Sequence, residues 1–313
     1  MNVFAAPGEQ SRSTPVWAAF ILLWVFWLVA NIVALPAIML VMAPALLAGQ
    51  GVDPSQMGLT IILTLYLMFS AFAASVIIWI KVYERRSLAS AGLIRRGAVA
   101  RYLGGLFWGL AFALVLVLLA VMTVGLVPEE EASGPFSWMV FSRPQTLLVF
   151  AALIFGLFVQ SAAEEIICRG WVMSSLAMRH GRTAGLVLSA LFFGSLHVHF
   201  LLTGNLLAGL VAMAAVTLMG LMLGLYALNQ RSLAGAAGMH GAFNATVFGV
   251  TLAAILGAGE TTDPLAGLNT AYELSTQPLT LSAESFIQGA LALGVSLFLW
   301  WRLRRTFSSD DKQ

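Results

Sequence analysis

Charged side chains are scarce in this sequence. Only 10% of its 313 residues are Asp, Glu, Lys or Arg, and 60% are hydrophobic, whereas a soluble domain carries about 25% charged residues. This shortage excludes an ordinary water-soluble protein and indicates an integral membrane protein in contact with the lipid bilayer. The net charge of only +2 gives no reason to expect a nucleic-acid partner.

Cysteine and long hydrophilic segments are also nearly absent. The one cysteine, Cys168, cannot form an internal disulfide or a four-cysteine metal site, and we expect it to pack. The longest hydrophilic stretch, residues 258–285, is too short to fold alone. We therefore expect a single membrane domain over residues 1–313, in which any chemistry takes place among the helices. The first apolar run is too long for a signal peptide, so we expect it to be retained.

Long apolar runs are abundant instead. A membrane-crossing helix needs about 20 apolar residues, and the pattern predicts an all-α bundle of about eight transmembrane helices with an intramembrane cavity. Pro36 and Pro44 should kink the first helix or end it early. The expected spans are residues 16–47, 57–82, 102–127, 145–178, 183–203, 205–229, 232–257 and 285–303.

Basic and acidic residues separate along this layout. With an inside N-terminus, every lysine and arginine except Arg143 and Arg169 falls at or beyond the inner end of a span, and most acidic residues fall in the outer loops. Basic residues collect on the cytoplasmic side of membrane proteins. We therefore expect both termini in the cytoplasm and the protein in the cell (inner) membrane.

A few strongly polar side chains nevertheless lie well inside the spans. A charge at a helix centre costs about 2.5–3.5 kcal/mol, so such residues are usually paired or functional. Glu165 and Arg169 are four residues apart and can form an ion pair, whereas Glu164 is turned about 100° away from Glu165. Glu165 is thus expected to be structural and Glu164 to face a site. The full set is Glu164, Glu165, Arg169, His197, His240 and Asn244, with Gln160 as a milder member.

Several of these residues are expected at a similar depth. Glu164 and His197 lie at nearly equal sequence distances on either side of His180, so an antiparallel hairpin turning there would bring them level. His240 and Asn244 share one face of the seventh span, with His240 nearer the cytoplasm. Three helices can therefore present a carboxylate, two imidazoles and a carboxamide to one cavity.

Three short motifs lie on separate spans within residues 145–257. They are EExxxR in EEIICR (Glu164 to Arg169), FxxxH in FGSLH (Phe193 to His197) and HxxxN in HGAFN (His240 to Asn244). In this order, they resemble the signature of the CAAX protease and bacteriocin-processing family of intramembrane endopeptidases, which includes the type II CAAX prenyl endopeptidases.

The resemblance implies a glutamate-dependent peptide hydrolase without a metal or other cofactor. Its substrate would be a peptide or protein, lipidated or not. General-base chemistry suits a partly buried Glu beside a His, and Asn and His are donors suited to developing negative charge. The implied roles are a carboxylate and an imidazole that position and deprotonate a water (Glu164 and His197), two donors for the oxyanion (His240 and Asn244) and an ion pair that holds the site together (Glu165 and Arg169).

Two alternatives remain open from the residues alone. Glu164, His197 and His240 resemble a zinc set with water in the fourth position. His199 could not join His197 at one ion on a regular helix, because the two are about 200° apart. The second alternative is a non-enzymatic transporter or scaffold with a Glu/His proton relay. Phe193 is assigned no function beyond packing.

Overall fold

The computed structural model describes residues 3–6, 8–123, 136–202, 204–275 and 278–310, and these residues form helices and no strand. The all-α prediction is confirmed. Three short 3₁₀-helices, Leu88–Ala91, Trp138–Ser142 and Val198–Leu202, lie in connections. The α-helices are α1 (Val16–Leu47), α2 (Pro54–Val82), α3 (Ala98–Thr123), α4 (Pro144–His180), α5 (Arg182–Ser195), α6 (Leu206–Gln230), α7 (Ala234–Ala258), α8 (Pro264–Ser275) and α9 (Pro278–Asp310).

Seven helices among the described residues are long and apolar enough to cross a membrane, namely α1 to α4, α6, α7 and the Ser285–Arg304 part of α9. The protein is thus an integral membrane protein, and the expected count of about eight is approximate. The difference lies in the expected span 183–203, where α5 ends at Ser195 and a turn and the 3₁₀-helix Val198–Leu202 follow. The last residues of the expected span 102–127, residues 124–127, lie outside the described residues.

The early end of α5 has a local cause at His197. In a continuing α-helix, the backbone N–H of His197 would donate to the carbonyl of Phe193. That carbonyl instead accepts from the His197 side chain, with Nδ1 at 3.0 Å. The backbone N–H of His197 donates to Gly194 at 3.0 Å. The side chain thus replaces the backbone donor, and hydropathy alone does not detect this substitution.

Helix α1 does not end early at Pro36 or Pro44, and its bounds match the expected span 16–47; the alternative expectation, a kink at these prolines, stays a prediction. The helix runs without interruption from Val16 through both prolines to Leu47. A proline removes one backbone donor, but prolines are tolerated in membrane helices where the remaining backbone bonds persist.

Glycines bring α3 and α7 into backbone contact. A β-carbon on Gly105 would overlap the carbonyl of Gly235, and one on Gly109 would overlap the carbonyl of Met239. Small residues at this spacing allow membrane helices to approach closely. Met239 directly precedes His240, so this contact fixes the depth and rotation of the helix that carries the HxxxN motif.

Gly109→Ala is expected to destabilise the protein by about 1–3 kcal/mol, because the added methyl group overpacks a backbone contact. Its thermal unfolding midpoint should fall. Gly104→Ala is the matched control, because a β-carbon there has no atom within 4 Å, and alanine favours a helix over glycine. Equal midpoints for the two variants would contradict a backbone contact between α3 and α7.

The basic segments meet at one end of the bundle, which we call the basic end: residues 8–14, 84–97, 179–182 and 231–233. Leu233 donates its backbone N–H to the Gly92 carbonyl at 3.0 Å, and Arg12 donates to the Glu84 carbonyl at 2.8 Å. At the other end, the Ser55 hydroxyl donates to Asp263 Oδ2 at 2.5 Å. This separation agrees with the charge sorting in the sequence, and we propose that the basic end faces the cytoplasm.

A buried ion pair that the sequence did not reveal lies at the basic end. Arg86 Nε donates to Glu84 Oε2 at 2.8 Å, and both side chains are fully buried. Arg86 also donates to the hydroxyl of Ser174 in α4 at 2.9 Å. The other Glu84 oxygen accepts from Thr14 Oγ1 at 2.6 Å, Ser175 Oγ at 2.6 Å and Trp171 Nε1 at 3.2 Å.

Candidate active site

The EExxxR motif lies where α4 changes its hydrogen-bonding pattern. The regular α-helix ends at Glu165, and Ile166–Met173 is a π-helix, a feature often found at functional sites. Arg169 Nη1 and Glu165 Oε1 form the expected ion pair at 2.6 Å, with both side chains fully buried. Arg169 Nη2 also donates to the Gly220 carbonyl of α6 at 2.9 Å. Arg169 thus joins α4 to α6.

His240 lies between the two glutamates. Its Nδ1 is 3.1 Å from Glu165 Oε1, and its Nε2 is 3.6 Å from Glu164 Oε2. An ionised carboxylate only accepts, so Nδ1 is the donor to Glu165. Glu165 therefore contacts both Arg169 and His240, and its expected role in holding the site together stays a prediction.

His197 is oriented by the end of α5. Its Nδ1 lies 3.0 Å from the Phe193 carbonyl. A carbonyl only accepts, so Nδ1 carries the proton and Nε2 carries the lone pair of the neutral ring. The rings of His197 and His240 both pack against Phe193, and His240 Nε2 in turn lies 3.6 Å from Glu164 Oε2. The structure thus brings the carboxylate and both imidazoles of the three motifs into one cluster.

Phe193 stands at the centre of this cluster, although the sequence assigned it no function. The Arg169 guanidinium carbon lies 4.5 Å from its ring centroid. The ring centroids of His197 and His240 lie 5.2 and 5.7 Å away. The motif FxxxH could have predicted one of these contacts, because its spacing of four residues places Phe193 beside His197.

Two polar residues of α4 complete the cluster. Gln160 Nε2 donates to Glu164 Oε1 at 3.2 Å, and Asn244 Nδ2 donates to the Ser161 hydroxyl at 3.2 Å. The sequence did not single out Ser161. Helical spacing could have identified it, because the residues three and four positions before Glu164 lie on the same helix face as Glu164.

The cluster is buried unevenly. Glu164 is 5% exposed and His240 4% exposed, whereas Gln160, His197 and Asn244 are half-buried. The intramembrane cavity expected around Glu164 stays a prediction.

The condition of a regular helix through His197 and His199 is not met. Their ring centroids are 5.8 Å apart, because a turn and a 3₁₀-helix replace the regular helix that the expectation assumed. Within the described ranges, however, no three His, Cys, Asp or Glu side chains are arranged to hold a metal ion. The donor geometry therefore does not fit the zinc alternative. Cys168 is fully buried in an apolar cluster, as expected of a packing residue.

The comparisons with known proteins agree with the three motifs. Residues 144–246 match the family model described as type II CAAX prenyl endopeptidase Rce1-like. The fold and this match define a membrane protein of a protease family, whose members hydrolyse peptide bonds. This match, which covers about a third of the chain, supports membership of the CAAX protease and bacteriocin-processing family. This family implies an intramembrane protease acting on a peptide or protein substrate. The searches of curated proteins and of solved structures found no match.

Proposed function

We propose that the protein is an intramembrane endopeptidase of the glutamic type. Glu164 and His197 activate a water, and His240 and Asn244 stabilise the oxyanion. The observation that carries this proposal is that residues of the three motifs meet in one cluster, in which His240 Nε2 lies 3.6 Å from Glu164 Oε2 and the His197 and His240 rings both pack against Phe193. The motif-bearing residues 145–257 are proposed as the catalytic part of a single membrane domain.

The proposed hydrolysis begins with a water between Glu164 and His197. The lone pair on His197 Nε2 accepts a hydrogen bond from the water, while Glu164 takes its proton as the oxygen attacks the peptide carbonyl carbon. The carbonyl oxygen becomes an oxyanion. Glu164 then returns the proton to the peptide nitrogen as the carbon–nitrogen bond breaks. The products are a carboxylic acid and an amine, so atoms and charge balance.

Donors for the oxyanion come from α7. The Asn244 amide has two N–H groups, of which one donates to Ser161 and the other can turn to the substrate. His240 keeps Nδ1 on Glu165 and can donate from Nε2 when the ring is protonated. One such donor can contribute about 2.7–4 kcal/mol to the transition state.

The substrate class is proposed from the family match. We infer a peptide or protein with a prenylated C-terminal CAAX sequence. The test uses purified protein in lipid vesicles, a farnesylated CAAX peptide and the same peptide without the lipid. Mass spectrometry should detect release of the last three residues from the farnesylated peptide.

The outcomes of this assay separate the parts of the proposal. Equal cleavage of both peptides would refute the lipid requirement and keep the hydrolase, and cleavage of neither would contradict the proposed function. Activity should also persist after treatment with a zinc chelator, since Glu164, His197 and His240 are proposed to work without a metal. Its loss, with recovery on added zinc, would favour the zinc alternative.

Gln160→Leu is expected to lower kcat about 10- to 100-fold, with a smaller change in KM. A hydrogen bond to a charged group contributes about 1.5–3 kcal/mol, and Gln160 fixes the orientation of the Glu164 carboxylate. Asn31→Leu is a suitable control, because Asn31 Nδ2 donates only to its own helix, to the Trp27 carbonyl at 2.8 Å. A pH–rate profile should also shift for Gln160→Leu alone. Unchanged kcat and profile would show that Gln160 does not position Glu164.

A further inference from the structure

A cavity of about 80 Å³ lies at the basic end, between α5, α6 and α9. The guanidinium-bearing residues Arg182 and Arg231 line it together with Trp300, and Leu186 and Leu228 contribute apolar walls. The two arginines come from different hairpin turns, Arg182 from the start of α5 and Arg231 from the end of α6. Among the described residues, the lining of the cavity includes no carboxylate.

The backbone of Arg231 is strained. Its φ is 50°, in the left-handed region, which costs a residue with a β-carbon about 1–2 kcal/mol. Glycine or asparagine is the usual residue at such a helix end. Strain of this kind persists where the surroundings hold it and often marks a functional position. A role for the Arg231 side chain in the cavity would explain why arginine occupies this turn.

The chemistry of the lining fits a phosphate group at a membrane surface. A guanidinium carries five N–H donors and binds phosphate in a bidentate manner, so an arginine with one partner retains donors for another. Trp300 is 44% exposed, and the Arg304 guanidinium carbon lies 3.7 Å from its ring centroid. Tryptophans beside basic residues are typical of the membrane interface. Basic pockets between membrane helices on the cytoplasmic side bind anionic headgroups.

We propose that this cavity binds the headgroup phosphate of an anionic phospholipid between Arg182 and Arg231, with the leucine walls against its glycerol and upper acyl atoms. Such a lipid would hold the start of α5 against α6 and α9. Because α5 carries Phe193 and His197 at its other end, the bound lipid would stabilise the helix that positions the FxxxH motif. This binding does not depend on the proposed peptidase activity.

The test compares thermal unfolding of the purified protein in phosphatidylcholine vesicles with and without phosphatidylglycerol. A ligand that binds only the folded state raises the unfolding midpoint, so phosphatidylglycerol should raise the midpoint of the unchanged protein by several degrees. Arg231→Gly removes the guanidinium and suits the left-handed backbone. In neutral vesicles this variant should be at least as stable as the unchanged protein, and it should lose most of the phosphatidylglycerol shift.

Two controls decide between a site and general surface charge. Arg182→Gln should also lose most of the shift. Arg96→Gln removes the same charge from an exposed residue of the basic end that does not line the cavity, and it should retain the shift. Equal shifts in all three variants would overturn the proposal. If inorganic phosphate in phosphatidylcholine vesicles reproduces the whole shift, the ligand is a free phosphate and the lipid assignment is wrong.

Discussion

Replacing Glu164 by alanine is expected to abolish peptide cleavage while the protein stays folded. A positioned general base contributes about 10²–10⁴-fold to a rate, so cleavage of the farnesylated peptide should fall by at least that range. The side chain contacts His240 Nε2 at 3.6 Å and accepts from Gln160 Nε2 at 3.2 Å, and neither partner is a permanently charged group such as Arg169. Its removal should therefore cost little stability. Cleavage rates and thermal unfolding midpoints are measured on the same preparations.

The neighbouring residue provides the contrasting variant. Glu165→Ala leaves the fully buried Arg169 without its carboxylate, and breaking a buried pair costs about 3–5 kcal/mol. It also removes the acceptor that holds His240 Nδ1. We expect this variant to lose both stability and activity, whereas Glu164→Ala loses activity alone. Full cleavage by a folded Glu164→Ala protein would end the proposed mechanism.

The sequence predicted most of the helices because length and hydropathy decide which segments enter a bilayer. Hydropathy predicted α1, α2, α4, α6 and α7 to within a few residues. It failed at the end of α5, where one side-chain hydrogen bond from His197 to Phe193 ends the helix.

The sequence predicts those contacts of the candidate site that lie within one helix, but not those between helices. Spacing predicted the pair of Glu165 and Arg169, and the order of the motifs predicted that three helices meet. The contact between Glu165 and His240 depends on how closely α7 approaches the rest of the bundle, which glycine contacts such as that of Gly109 set. The sequence predicts only packing for Phe193, because its contacts with Arg169 of α4 and His240 of α7 come from two other helices.

The buried pair of Glu84 and Arg86 could not be predicted for a different reason. The two residues belong to a basic segment, in which the charge pattern identifies Arg86 only as a positive charge near the inner end of a span. In the structure both are fully buried. Burial could not be inferred from charge sorting, because it depends on the N-terminal residue Thr14 and on α4 covering the end of α2.

Glu84→Ala is accordingly expected to be the most destabilising of the single substitutions considered. It leaves Arg86 as an unpaired buried charge, which costs about 3–5 kcal/mol. It also removes the acceptor for Thr14, Trp171 and Ser175, and each buried donor left unsatisfied costs about 1–3 kcal/mol more. We expect a large fall in the thermal unfolding midpoint and faster proteolysis of residues 8–14, which Thr14 anchors to this carboxylate.

The control is Glu9→Ala, which removes the same charge from an exposed residue of the N-terminal segment and should leave the midpoint unchanged. Glu84→Gln should fall between the two, because its carbonyl oxygen still accepts from Thr14 and Ser175 while the charge opposite Arg86 is lost. If Glu84→Ala unfolds at the temperature of the unchanged protein, the Glu84 carboxylate does not hold the N-terminal segment. Apolar packing would then hold residues 8–14 against α2 and α4 instead.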